Sequence, residues 1–188
     1  MKGVVMKIKL LIGIFFLFAF VSLNAYELDG DLKVQWTGYK TEKKVGVSGT
    51  FKDVNLQIKK SDNFTKFLKS AKVKIDSLSL ESGLEVRNKS MVNTLFSLKS
   101  SEKILAFISD VNTNTKSLTL KLTMNEVTKT VPMKYEIKDK KVIASGVIDI
   151  LDYSMSESFA KFAKECFDLH KGKSFSEVTI AFELPFKK

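Results

Sequence analysis

From residue 26 onward, apolar and polar side chains alternate with a period of two, the pattern of β-strands that bury one face. The C-terminal stretch shows it most plainly. Val178, Ile180, Phe182, Leu184 and Phe186 alternate there with Thr179, Ala181, Glu183, Pro185 and Lys187. Leu118, Leu120, Leu122 and Met124 alternate in the same way with Thr119, Lys121 and Thr123. Val142, Ala144, Gly146, Ile148 and Ile150 define a third face, although Ile143, Val147 and Leu151 make its reverse side partly apolar. Further strands are predicted near 29–39, 45–58, 71–80, 103–111 and 130–138. Within 45–58 the apolar parity changes, from Val45, Val47 and Phe51 to Val54, Leu56 and Ile58. A slip of one residue fits a β-bulge near Asp53, which would curl the sheet. Gly46 and Gly49 in the same stretch permit sharp coiling.

Three segments follow a helical period instead. Residues 61–70 open on a Ser/Asp cap and bring Phe64, Phe67 and Leu68 to one face. Residues 83–98 space Leu84, Met91, Leu95 and Phe96 in near-helical fashion. Residues 155–170 carry a stripe of Phe159, Phe162, Ala163, Cys166 and Phe167, ended by Gly172. The whole describes a mainly β chain: a single closed antiparallel barrel of about eight strands with two or three short helices. A β-sandwich is the alternative. An outer-membrane barrel fits less well, because the faces opposite the apolar ones carry Lys72, Lys74, Lys121 and Glu183, which lipid would not accept.

The first 25 residues break the pattern. Lys2, Lys7 and Lys9 precede an apolar run from Leu10 to Val21, no acid occurs before Glu27, and Ala25 closes a short polar stretch. This is the layout of a secretory signal peptide. The run is twelve residues long, short of the about 20 that a spanning helix needs. The expected organisation is therefore a signal peptide over 1–25 and one exported domain over 26–188, with no stable membrane span after cleavage. Loss of three lysines lowers the formal charge from +10 to +7. The lysine pairs are dispersed and no run reaches five, so the charge reads as solubility and excludes a nucleic-acid partner. Cys166 is the only cysteine, so no internal disulfide forms. Its thiol is either buried or open to a partner, which leaves a homodimer open.

Closing the strands would turn an inner face of Leu, Ile, Val, Phe and Met toward the axis, with no buried His and no carboxylate pair for hydrolysis. Such a barrel either fills with side chains or leaves room for one slender apolar ligand. The pattern alone leaves both open. Cys166 and His170 stand four apart, a spacing seen among metal ligands. With no third Cys or His to join them, they read as a core thiol and a surface or cap histidine. Arg87 follows Glu85, giving either a surface ion pair or an arginine at the barrel mouth that holds the connecting helix or meets a headgroup. The structural role is preferred. Trp36 and Tyr39 read as packing or rim aromatics.

Several strings resemble the YceI-like family of periplasmic, lipocalin-like polyisoprenoid-binding proteins. YELDGDLKVQWTGYK (26–40) looks like the first strand of that family. VGVSGTFKDVNLQI (45–58) is similar to its second, with Gly46, Gly49 and Phe51 matching its core. VKIDSLSLESGLEVRNKSMVNTLF (73–96) resembles its strand and following helix, and ILAFIS (104–109) the next strand. LTLKLTMNEVTKTVPM (118–133) resembles its hairpin and is the most specific of the set. Asn88 stands where the family usually has an Asp after the arginine, and VIDILDYSM (147–155) matches loosely.

The resemblance implies a lipocalin-like barrel with an elongated apolar cavity, and a non-enzymatic protein that binds, carries or sequesters a polyisoprenoid-like lipid in the periplasm. No cofactor is implied; a bound isoprenoid would be a ligand. Strand parity then assigns Phe51, Ile75, Phe96, Phe107, Leu118, Leu120, Leu122, Ile148, Ile180 and Phe182 to the cavity wall. The competing expectations are a periplasmic stress or interaction protein with a filled barrel, and a small enzyme acting through Cys166 or His170.

Overall fold

The structure is a computed structural model that describes residues 24–188; nearly all of the expected signal peptide lies outside them. The sheet strands are β1 (Glu27–Leu28), β2 (Lys33–Lys40), β3 (Val45–Phe51), β4 (Val54–Gln57), β5 (Lys72–Asp76), β6 (Leu80–Glu81), β7 (Lys103–Asn112), β8 (Ser117–Met124), β9 (Val127–Lys138), β10 (Lys141–Asp149) and β11 (Ser174–Lys187). Helix α1 (Phe64–Lys69) links β4 to β5, α2 (Glu85–Thr94) follows β6, and α3 (Ser156–Glu165) lies between β10 and β11. All strand pairs are antiparallel, in the order β4-β5-β7-β8-β9-β10-β11-β2-β3-β6. β1 adds to β11.

The sheet curls on itself because one chain segment serves both ends of that order. β3 pairs with β2, and β4, two residues further on, pairs with β5. The change of partner occurs at Lys52–Asp53, where the sequence parity slips. There the Lys52 N–H donates to the Ser79 carbonyl (3.0 Å), the Asp53 N–H donates to Ser79 Oγ (2.9 Å), and the Asp76 N–H donates to the Asp53 carbonyl (3.1 Å). The slip keeps Phe51 and Leu56 on the inner side despite their opposite parity. The expected single strand is thus two, and the 71–80 strand likewise divides into β5 and β6. With the two-residue β1 added, about eight expected strands become eleven among the described residues.

The helices are shorter than their periodicity suggests. The cap of α1 is Asn63, whose side chain accepts from the Lys66 N–H at 2.9 Å. Ser61, expected to cap, instead exchanges backbone hydrogen bonds with Tyr26. α3 ends at Glu165, and turns continue to Gly172 (φ 80°), whose N–H donates to the Phe167 carbonyl. Gly49 serves packing more than coiling. A Cβ there would lie 2.3 Å from the Trp36 ring and 2.5 Å from the Glu81 carbonyl oxygen, so only glycine lets the indole lie flat against β3.

The two ends of the barrel are closed differently. At the end where β4 runs into α1, Tyr26, Phe64, Phe67 and Phe186 stack with centroids 5.2–6.4 Å apart. Phe67 and Leu68 are fully buried there, in the same core cluster as Leu118, Tyr135, Val142 and Leu184. At the other end α2 and α3 lean over the opening. The outer sheet face carries Lys72 and Lys74 in solvent, and Lys121 donates to Thr130 Oγ1 at 2.6 Å. No helix among the described residues is long and apolar enough to cross a membrane.

Candidate functional site

Between the plugged end and the two helices lies a cavity of about 410 Å³, walled almost wholly by apolar side chains. β2 contributes Val34, Trp36 and Gly38; β5 Val73 and Ile75; β7 Ile104, Ala106 and Ile108; β11 Val178, Ile180, Phe182 and Leu184. Alternation explains the set, since every second residue of each strand meets the same interior. Met91, Leu95 and Phe96 from α2 and its end, with Phe159 and Phe162 from α3, form the roof.

Nine of the ten residues assigned by parity border this space: Phe51, Ile75, Phe96, Phe107, Leu120, Leu122, Ile148, Ile180 and Phe182. Leu118 does not. It points inward but lies at the plugged end, 3% exposed within packed core. Phe107 needs a correction of its side-chain direction. It pairs with Lys72 and Lys121 on the outer face and is 46% exposed, while its neighbours Ala106 and Ile108 point in. Both faces of 103–111 are apolar, so parity gave no preference, and the larger side chain was on the wrong side.

The polar side chains on the wall collect at the helix-covered mouth: Lys40, Arg87, Ser90, Cys166 and His170. Gln35 and Tyr39 border the cavity too, but alternation turns them outward, where Tyr39 OH bonds Thr179 Oγ1 at 2.7 Å. Trp36 is a buried wall residue, its Nε1 donating to the Thr50 carbonyl at 3.3 Å. Ser90 Oγ donates to Glu165 at 2.6 Å and stands 3.9 Å from Cys166 Sγ, joining α2 to α3. His170 Nδ1 bonds Ser174 Oγ at 2.7 Å, and its ring meets Phe162 edge-on.

Cys166 and His170 therefore have separate partners. Burial pushes the Cys166 thiol up, the Ser90 contact opposing it, so the thiolate is scarce at neutral pH. Burial pushes the His170 imidazole down, helped by the positive charges of Lys40 and Arg87. Neither shift activates a nucleophile. No group of three or more His, Cys, Asp or Glu that could hold a metal is gathered among the described residues.

Arg87 donates to the Ser82 carbonyl (3.3 Å), whereas Glu85 pairs with Lys89 rather than with Arg87. Asn88 explains how α2 is pinned. Its Oδ1 accepts from the Ser82 N–H (2.9 Å) and Ser82 Oγ (2.6 Å), while its Nδ2 donates to Glu81 (3.1 Å). An aspartate could not make the last bond. Glu81 also accepts from Lys52 and the Gly83 N–H, and these donors hold its carboxyl down at about 2.

The comparisons agree with this geometry. The sequence matches the YceI-like domain over residues 21–186. No curated protein matches it in sequence. The crystal structure of Burkholderia cenocepacia BcnA is similar, with a TM-score of 0.59 at 21% identity, over 84% of this chain and 98% of that one. A domain from Saccharophagus degradans, described as polyisoprenoid binding and implicated in plant cell wall breakdown, gives 0.56 at 16% identity over 87% and 98%. A Campylobacter jejuni YceI protein gives 0.54 at 18% over 77% and 86%. At these identities the structural likeness speaks for the fold, and the sequence match, spanning nearly the whole barrel, makes this chain a member of the YceI-like domain family.

Proposed function

We propose that this chain is a non-enzymatic carrier or scavenger of one elongated, polyisoprenoid-like lipid, held in the barrel interior of an exported periplasmic protein. Residues 1–25 act as the export signal in this reading, and 26–188 as the binding domain. The observation that carries it is the cavity: apolar along its length, with polar side chains only at the mouth. A chain of methylenes gains about 0.8 kcal/mol per group on leaving water, so each five-carbon unit contributes about 4 kcal/mol before the cost of ordering it. Lys40, Arg87 and the Ser90 hydroxyl at the mouth suit a polar end group left at the surface. The description of the Saccharophagus domain as polyisoprenoid binding supports the same ligand class. Against an enzyme stand the protonated thiol of Cys166 and the separate partners of Cys166 and His170.

The test is direct. Purified protein is denatured, extracted with organic solvent and the extract weighed by mass spectrometry. About one equivalent of an apolar lipid is expected, recovered again after delipidated protein is incubated with polyprenols. An empty extract together with no uptake would refute the proposal and favour an interaction protein with no ligand.

A further inference from the structure

We infer that the helix-covered mouth is a docking surface for an anionic lipid bilayer. Val86 and Leu169 are the two most exposed large apolar side chains among the described residues, each 74% exposed, and Leu84 is 51% exposed. All three also belong to the cavity wall. Other exposed apolar residues, such as Leu105, Phe107 and Val147, lie on the outer sheet face. Exposed apolar side chains that run unbroken into a lipid-sized cavity form a ramp between a bilayer and the interior, and water is a poor resting place for such a ramp.

Charge chooses the kind of surface. The mouth is built from the 40–44 turn, the start of α2 and the 164–177 stretch. The Thr41 N–H donates to the Lys173 carbonyl (2.9 Å), and Lys44 and Lys173 both lie over the Phe175 ring. Eight lysines and arginines stand in these segments against five acids, Glu42, Glu85, Glu165, Asp168 and Glu177. Three of those five are already engaged: Glu85 is bridged by Lys89, Glu177 by Lys44, and Glu165 accepts from Ser90, leaving Glu42 and Asp168 as the acids without such a partner among the described residues. An apolar tip inside a basic rim matches anionic headgroups over an acyl interior.

The inference builds on the carrier reading but is tested apart from it. The full mature chain is titrated with phosphatidylcholine vesicles, with and without phosphatidylglycerol, and binding is followed by co-sedimentation. Binding is expected only with the anionic lipid and should weaken with salt. The pair Val86→Asp and Leu169→Asp, and separately Lys43→Glu with Lys171→Glu, should each weaken it about tenfold or more, with unchanged circular dichroism. No binding to anionic vesicles, or binding that both pairs leave intact, overturns the inference. So does a dimer by light scattering that Val86→Asp and Leu169→Asp disperse, since a second copy would then own the face. Vesicle binding with an empty extract would sustain the docking surface while removing the carrier reading.

Discussion

One end of this barrel is solid and the other hollow, although the same alternating strands build both. At the solid end α1 drives Phe67 and Leu68 into the opening, and Tyr26, Phe64 and Phe186 fill what remains. At the hollow end α2 and α3 lie across the rim, joined to each other through Ser90 and Glu165, and do not descend into it. The difference lies in the connections between strands. A short helix with a contiguous aromatic face acts as a plug. Two helices tied to each other act as a roof, and the side chains beneath have wall neighbours on one side only.

That contrast predicts unequal costs for similar truncations. Phe67→Ala removes a ring with no solvent contact from the plug and should cost about 3–5 kcal/mol in urea unfolding. Gly49→Ala, at the wall where β3 meets Trp36, should cost about 1–3 kcal/mol, because both a ring and a backbone carbonyl must shift. Ile180→Ala, on the hollow wall, should cost only about 1–2 kcal/mol in delipidated protein, since the side chain already lacks neighbours toward the axis. Equal costs for Phe67→Ala and Ile180→Ala would mean that the two ends are packed alike. The smallest effect is chemical. Because burial raises the Cys166 thiol, its reaction with a thiol reagent should be slow at neutral pH and still climbing at alkaline pH where an ordinary thiol has already levelled off. Lipid loading should slow it further; the pH profile of an ordinary thiol, unaffected by lipid, would place Cys166 outside the cavity.

The sequence carried the side of each strand better than its depth. Parity identified the wall through Leu120, Leu122, Ile148, Ile180 and Phe182, and the slip near Asp53 marked where the sheet closes. It could not tell Leu118 from Leu120, because a period of two records in or out and says nothing about the position along the axis. It erred at Phe107 because Ala106, which faces in, is the less hydrophobic of the two. The roof was half visible. The stripe of Phe159, Phe162 and Cys166 was plain, but what it covers depends on a packing of helix on barrel that no local pattern encodes. Gly38 went unnoticed for a related reason, since a residue without a side chain leaves no trace in the hydrophobic pattern while leaving space in the wall.

Gly38 also gives the sharpest test of a hollow, lipid-filled interior. It sits on the wall between Val47 and Val178, and a Cβ there would meet nothing within 4 Å. Gly38→Phe should fill the void with a change in stability within about 1 kcal/mol. Native mass spectrometry of the two proteins, loaded side by side with the same lipid, reads the result. A hollow, lipid-filled interior predicts one added lipid mass on the wild-type chain and the bare chain mass for Gly38→Phe. Equal lipid on both, or on neither, would contradict it.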